Sequence, residues 1–133
     1  MLNQEERAAQ KNAAAALVES SDTIFGKIVR GEIPCRKVYE DEKCLAFHDV
    51  NPQAPVHIIL IPKEPNGLTR LSKAKEAHQD ILGHLMIAVA KIAAQEDLGD
   101  FRVVINDGPG AAQSVYHLHL HILAKRPLLW PPG

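Results

Sequence analysis

Two cysteines among 133 residues, Cys35 and Cys44, are too few for a disulfide scaffold and suit a reduced intracellular protein. Charge of one sign is also missing. Fifteen Lys and Arg against sixteen Asp and Glu leave a net charge of −1, which gives no electrostatic footprint for nucleic-acid binding, usually seen as a basic patch or stripe. No apolar run approaches the ~20 residues that span a bilayer, so no membrane partner is expected. No Walker-type GKS or GKT occurs, which excludes the P-loop manner of holding phosphates. Residues 1–20 are rich in alanine, but Glu5, Glu6 and Glu19 interrupt them. They lack a true apolar centre and read poorly as a signal peptide or an organelle transit peptide. They read as a flexible or loosely helical extension, and residues 21–133 as one domain. The location expected is the cytoplasm, with the nucleus second.

Within the domain, Ser21 or Asp22 is placed to cap a short helix through TIFGKIVRG, with Gly31 past its end and Pro34 barring its continuation. CRKVYEDE and CLAFHDV are two short strands joined by a charged turn, and VHIILIPK is a central strand by its continuous aliphatic content. One long helical segment runs from Leu68 to Gly99. Its Ile81, Leu82, Leu85, Met86, Val89 and Ile92 recur at spacings of three and four, a stripe that should lie on the sheet. FRVVIND is a further strand. Strands with one main helix across them predict an α+β domain.

What remains is HLHLHIL, His117 to Leu123. On a strand, alternation sets His117, His119 and His121 on one face and Leu118, Leu120 and Ile122 on the other; on a helix the histidines would scatter. Same-face neighbours lie roughly 7 Å apart, near enough for two imidazoles to hold one ion or one phosphoryl group. Three uses compete: a polar strand face, a metal site and a catalytic site. The preceding loop, NDGPGAAQS, favours catalysis. Gly108 and Gly110 allow backbone conformations closed to other residues, and Ala111 and Ala112 leave space. Such a loop predicts N–H groups aimed inward at an anion, with Gln113 and Ser114 as side-chain donors. A metal has no use for donors. A phosphate does, and neutral imidazole is a nucleophile near pH 7.

HLHLHIL matches the His-x-His-x-His-x-x motif of the histidine-triad (HIT) superfamily. Together with DTIFGKIVRGEIP, CLAFHDVNPQAPVHIILIPK, VVINDGP, QSVYHLHLHIL and the terminal WPPG, it resembles the histidine triad nucleotide-binding branch from about Asp22 to Gly133. The resemblance implies a HIT-like fold: an antiparallel sheet of about five strands with one long and one short helix, continued across a homodimer. It implies hydrolysis of purine nucleoside 5'-phosphoramidates to an amine and a nucleoside monophosphate through a phosphohistidine, without cofactor or metal. The ligand is then of the adenosine monophosphate type. By position, His119 is the nucleophile, His121 and His57 complete the polar cluster, and His117 supports it. Asn106, Gln113, Ser114 and the backbone at Ala112 line the phosphate side. Asp49 takes the ribose hydroxyls, and Ile24, Phe25, Ile28, Phe47, His48, Val50 and Ile59 form the base slot.

Plainer readings stand beside these. Asp49 could be a turn residue, Phe25, Phe47 and Ile59 plain core, Ser114 a cap, and His78 and His84 surface or packing residues. Some superfamily members hold structural zinc by a Cys-x-x-Cys where this chain has Thr23 and Gly26, so that site is not expected here. Ala124 and Lys125 replace the branch's usual glycine pair. Two other functions share the pocket: a dinucleoside polyphosphate hydrolase, against which WPPG argues, and a nucleotide-binding adaptor that regulates protein partners.

Overall fold

The computed structural model describes residues 22–133; the extension over 1–20 and the capping position Ser21 lie outside them. The elements are α1 (Ile24–Val29), β1 (Lys37–Glu40), β2 (Cys44–His48), β3 (Val56–Pro62), α2 (Gln79–Gln95), β4 (Phe101–Val104) and β5 (Leu120–Ala124). The strands form one antiparallel sheet in the order β1-β2-β3-β5-β4. This is the α+β arrangement that the sequence predicts, and β3 is its middle strand.

Alternation along β3 and β5 separates two layers. Ile58, Leu60, Leu120 and Ile122 face α2, meeting Leu85, Ala88, Val89 and Ile92 in the main core. Ile59 and Ile61, with Leu45 and Phe47 of β2, face the other way and pack under Phe25 and Ile28 of α1. That second face carries the site. The helix α1 starts at Thr23, whose hydroxyl accepts the Gly26 N–H at 3.2 Å, one residue beyond the predicted cap; Gly31 follows at φ +78°.

Three expectations change. The long helical segment is broken: Leu71–Lys73 and Glu76–His78 are single 3₁₀ turns, and α2 begins at Gln79. The break is fixed by His78, which is buried and accepts the Lys75 N–H at 3.0 Å while its other nitrogen reaches the Asn66 carbonyl at 2.9 Å. Met86 leaves the predicted stripe and is 53% exposed, because the buried line follows Leu85, Val89 and Ile92, and Met86 lies a helical step to its side. The histidine strand is shorter than its pattern. His117 and His119 precede β5, since the Leu118 N–H turns to the Leu68 carbonyl at 3.0 Å instead of a sheet neighbour.

Candidate functional site

Two cavities meet on the α1 side of the sheet. One, of about 720 Å³, is an apolar slot walled by Ile24, Phe25, Ile28, Phe47, Val50 and Ile59, with His48 on its rim. The other, of about 810 Å³, is the more polar of the two and includes Asn51, Gln53, His57, Asn106, Ala112, His121 and Arg126 beside Val104 and Leu123. Asp49 and Ser114 line both, so they mark the junction. Every residue predicted for the base slot is in its wall.

His119 is buried and lines neither cavity itself, but it packs against a residue of each. Its ring centroid is 4.9 Å from Phe25, in the slot, and 5.0 Å from His121, in the polar cavity. Its Nδ1 stands 2.8 Å from the His117 carbonyl. A carbonyl only accepts, so Nδ1 carries the ring proton and Nε2 of the neutral ring keeps its lone pair. Burial of the ring lowers its pKa, outweighing that carbonyl contact, and holds it neutral.

The other rings are ordered by the same reasoning. His57 Nδ1 accepts the Gln53 N–H at 3.0 Å, so the His57 proton is on Nε2. That Nε2 lies 2.9 Å from His121 Nδ1 and 3.4 Å from Asp49 Oδ2, both acceptors. His121 must therefore carry its proton on Nε2, a buried atom with no hydrogen-bond partner among the described residues. Desolvation, with His119 and His57 adding to it, takes the His121 pKa down to about 3. His117 is buried elsewhere: its Nε2 donates to the Pro62 carbonyl at 2.6 Å. It holds the segment to the end of β3 and lines neither cavity, a support rather than a contact group.

The glycine loop departs from its expected form. The N–H groups of Ala111, Ala112 and Gln113 close turns onto Pro109 and Gly108 carbonyls at 3.0–3.1 Å, so they do not form an inward ring. Gln113 likewise is no donor to a ligand. It is 1% exposed; its Oε1 accepts the Gly108 N–H at 2.8 Å, and its Nε2 donates to the Thr69 and Val115 carbonyls at 2.8 and 3.1 Å. The amide is the internal brace of the loop. Gly108 is required there: at φ +93°, a Cβ would run into the Arg70 guanidinium, which Asp107 holds at 2.7 Å. Of the side chains expected on the phosphate side, Asn106, Ser114 and His121 line the second cavity and Gln113 does not.

Sequence reasoning missed Arg126, whose Nε donates to the Gln53 carbonyl at 2.9 Å, and the slot residues Ile33, Pro34 and Val115. Only the fold brings these to the site. Asp49 Oδ1 accepts the Asn51 N–H at 2.7 Å, which makes it a turn residue as well as a cavity residue.

The buried, neutral ring of His119 thus packs against Phe25 of the apolar slot and His121 of the second cavity, on one face of an antiparallel sheet. The chain belongs to the HIT domain family, whose model matches residues 30–128. It is similar to the "14 kDa zinc-binding protein" of Zea mays, 56% identical over 93% of this chain and 98% of that one. It is likewise 56% identical to "Adenylylsulfatase HINT1" of Arabidopsis thaliana, over 95% and 87%. Among solved structures, a HIT family hydrolase from Legionella pneumophila superposes with a TM-score of 0.79 at 39% identity, over 84% of this chain and all of that one. A histidine triad protein from Clostridium difficile does so with a TM-score of 0.76 at 43% identity, over 82% and 95%. The five-stranded sheet with one long and one short helix is the HIT fold.

Proposed function

We propose that this HIT family hydrolase cleaves purine nucleoside 5'-phosphoramidates through a phosphohistidine at His119. The observation that carries the reading is the His119 tautomer: Nδ1–H is tied to the His117 carbonyl, which leaves Nε2 as the basic atom of a ring packed between Phe25 of the slot and His121 of the second cavity. The base occupies the slot, Asp49 receives the ribose hydroxyls, and phosphorus lies at Nε2. Attack forms the N–P bond and breaks the P–N bond to the amine, which leaves with its electron pair and takes a proton from the open cavity. The positive charge on the phosphorylated ring is met by the His117 carbonyl. His121 Nε2–H, Ser114 and Asn106 meet the phosphoryl oxygens, where preorganised donors act most strongly. Water then attacks phosphorus, loses a proton to solvent, frees nucleoside monophosphate and restores the imidazole.

The name of the Arabidopsis relative, an adenylylsulfatase, supports adenylates with a sulfate leaving group as further substrates. A turnover assay of adenosine 5'-phosphoramidate against a diadenosine polyphosphate and adenylyl sulfate separates the readings. Preference for the phosphoramidate is expected. Preference for the polyphosphate would replace the proposal with the second hydrolase reading, and tight nucleotide binding without turnover would favour the adaptor.

A homodimer belongs to the same proposal. β4 is an edge strand, with Phe101 39% exposed, and Met86 and Ile87 stand out from α2. Trp130 and Leu129 of the terminal segment are also exposed. A second copy pairing along β4 covers such surface, and sedimentation velocity tests it. Two relatives bear the name zinc-binding. Asp49, His57 and His121 have ligand atoms within 4.8 Å of one another, a nitrogen and oxygen set that suits zinc chemically. The phosphoryl chemistry proposed here uses Asp49 as an acceptor and His57 and His121 as hydrogen-bonding rings instead, so turnover in a chelator is expected to persist.

A further inference from the structure

A second group of metal-ligating side chains lies on the far side of the sheet from His119. Asp41 is in the β1–β2 turn, Cys44 opens β2, and His84 projects from α2, 43 residues from Asp41. His84 Nε2 is 2.8 Å from Asp41 Oδ2. The carboxylate, the sulfur and the imidazole nitrogen lie within 4.8 Å of one another. Ligands about 2.0–2.3 Å from a shared zinc ion stand roughly 3.3–3.8 Å apart, so small side-chain shifts suffice.

The surroundings fit coordination. Asp41 Oδ1 accepts the N–H groups of Lys43 and Cys44 at 2.8 and 2.9 Å, and Tyr39 Oη donates to Oδ2 at 2.9 Å. Such contacts aim a ligating carboxylate. Cys44 is fully buried, but the side chains of Asp41 and His84 are 25% and 28% exposed. This leaves an entry path and a side open to water as a fourth ligand. One sulfur, one nitrogen and one oxygen donor select a borderline cation over magnesium or calcium, which take oxygen.

We propose that Asp41, Cys44 and His84 bind one zinc-type divalent cation that ties α2 to the β1–β2 turn, independently of the histidine triad. On binding, the Cys44 thiol releases its proton to solvent and forms the sulfur–metal bond. The His84 ring proton moves to Nδ1, freeing the Nε2 lone pair, and nothing is oxidised or reduced.

Cobalt(II) titration of the chelator-treated full chain tests this, because a cobalt–thiolate bond gives a near-ultraviolet charge-transfer band that oxygen and nitrogen ligands do not. One equivalent is expected to produce that band and to raise the Tm. Cys44→Ala should abolish the band, His84→Gln should weaken cobalt binding at least tenfold, and Cys35→Ser and His121→Gln should leave it intact. Should Cys44→Ala not fold, His84→Gln alone decides, since its side chain is partly exposed. No thiolate band in the wild type, or cobalt binding kept by His84→Gln and lost by His121→Gln, overturns the proposal.

Discussion

His57 Nε2 lies 2.9 Å from His121 Nδ1, and with the Gln53 N–H on the opposite nitrogen of His57 this contact fixes the proton positions of both rings. The pair therefore presents a donor at His121 Nε2, while His119, tied through Nδ1, presents an acceptor. In the proposed reaction these are the two kinds of group used at phosphorus, and their rings are 5.0 Å apart.

The neutrality of these rings links stability to pH. The folded-state pKa of His121 is lowered, by burial first, to about 3 from its ordinary 6.5. Below pH 6.5 the unfolded chain gains a proton that the folded chain refuses, so stability is full above 6.5 and falls as pH drops toward 3. The slope is up to about 1.4 kcal/mol per pH unit per such group. His117 and His119 shift in the same direction, also through burial. Urea unfolding between pH 6.5 and 5 should show a decline that His121→Gln flattens. An unchanged slope in the variant would mean that His121 is charged in the folded state.

Gln113 bears on the loop. Gln113→Ala removes the partner of the Gly108 N–H, whose bond is buried, and of the Thr69 and Val115 carbonyls, whose bonds are part-buried; the stranded buried N–H costs about 1–3 kcal/mol, and the carbonyls, which water can reach, add less. A loss of about 2–4 kcal/mol is expected in urea unfolding. A loss below about 0.5 kcal/mol, the scale of a surface change, would show that the amide is not the brace.

Asp49 bears on the ligand. Its carboxylate lines both cavities and, in the proposed pose, receives both ribose hydroxyls. Asp49→Ala should weaken adenosine monophosphate binding about tenfold or more, since a hydrogen bond to a charged group contributes about 1.5–3 kcal/mol. The 2'-deoxy analogue should lose less. Equal losses by calorimetry would take Asp49 out of the ribose contact.

Much of this was legible in the chain because local patterns carry it. The aliphatic run of β3 foretold the middle strand and its two faces, the period-two histidines foretold β5 only from Leu120 on, and the seven residues expected around the base all line one apolar cavity. What escaped depends on contacts distant in sequence. The loop's N–H groups look like an anion cradle until Gln113 is seen to brace Gly108. His84 reads as a packing residue until α2 sets it against Asp41. Met86 fits a stripe of threes and fours that the sheet covers only along Leu85, Val89 and Ile92.

The central claim is that His119 is the nucleophile. His119→Asn should keep nucleotide affinity within about tenfold, ~1.4 kcal/mol, because Asp49 and the slot are untouched, while phosphoramidate turnover falls by several orders of magnitude. The most direct measurement is rapid-quench trapping of the wild type with a substrate labelled at phosphorus. The account predicts label bound through nitrogen to His119; label on another residue, or no covalent label with near-normal turnover in His119→Asn, would contradict it.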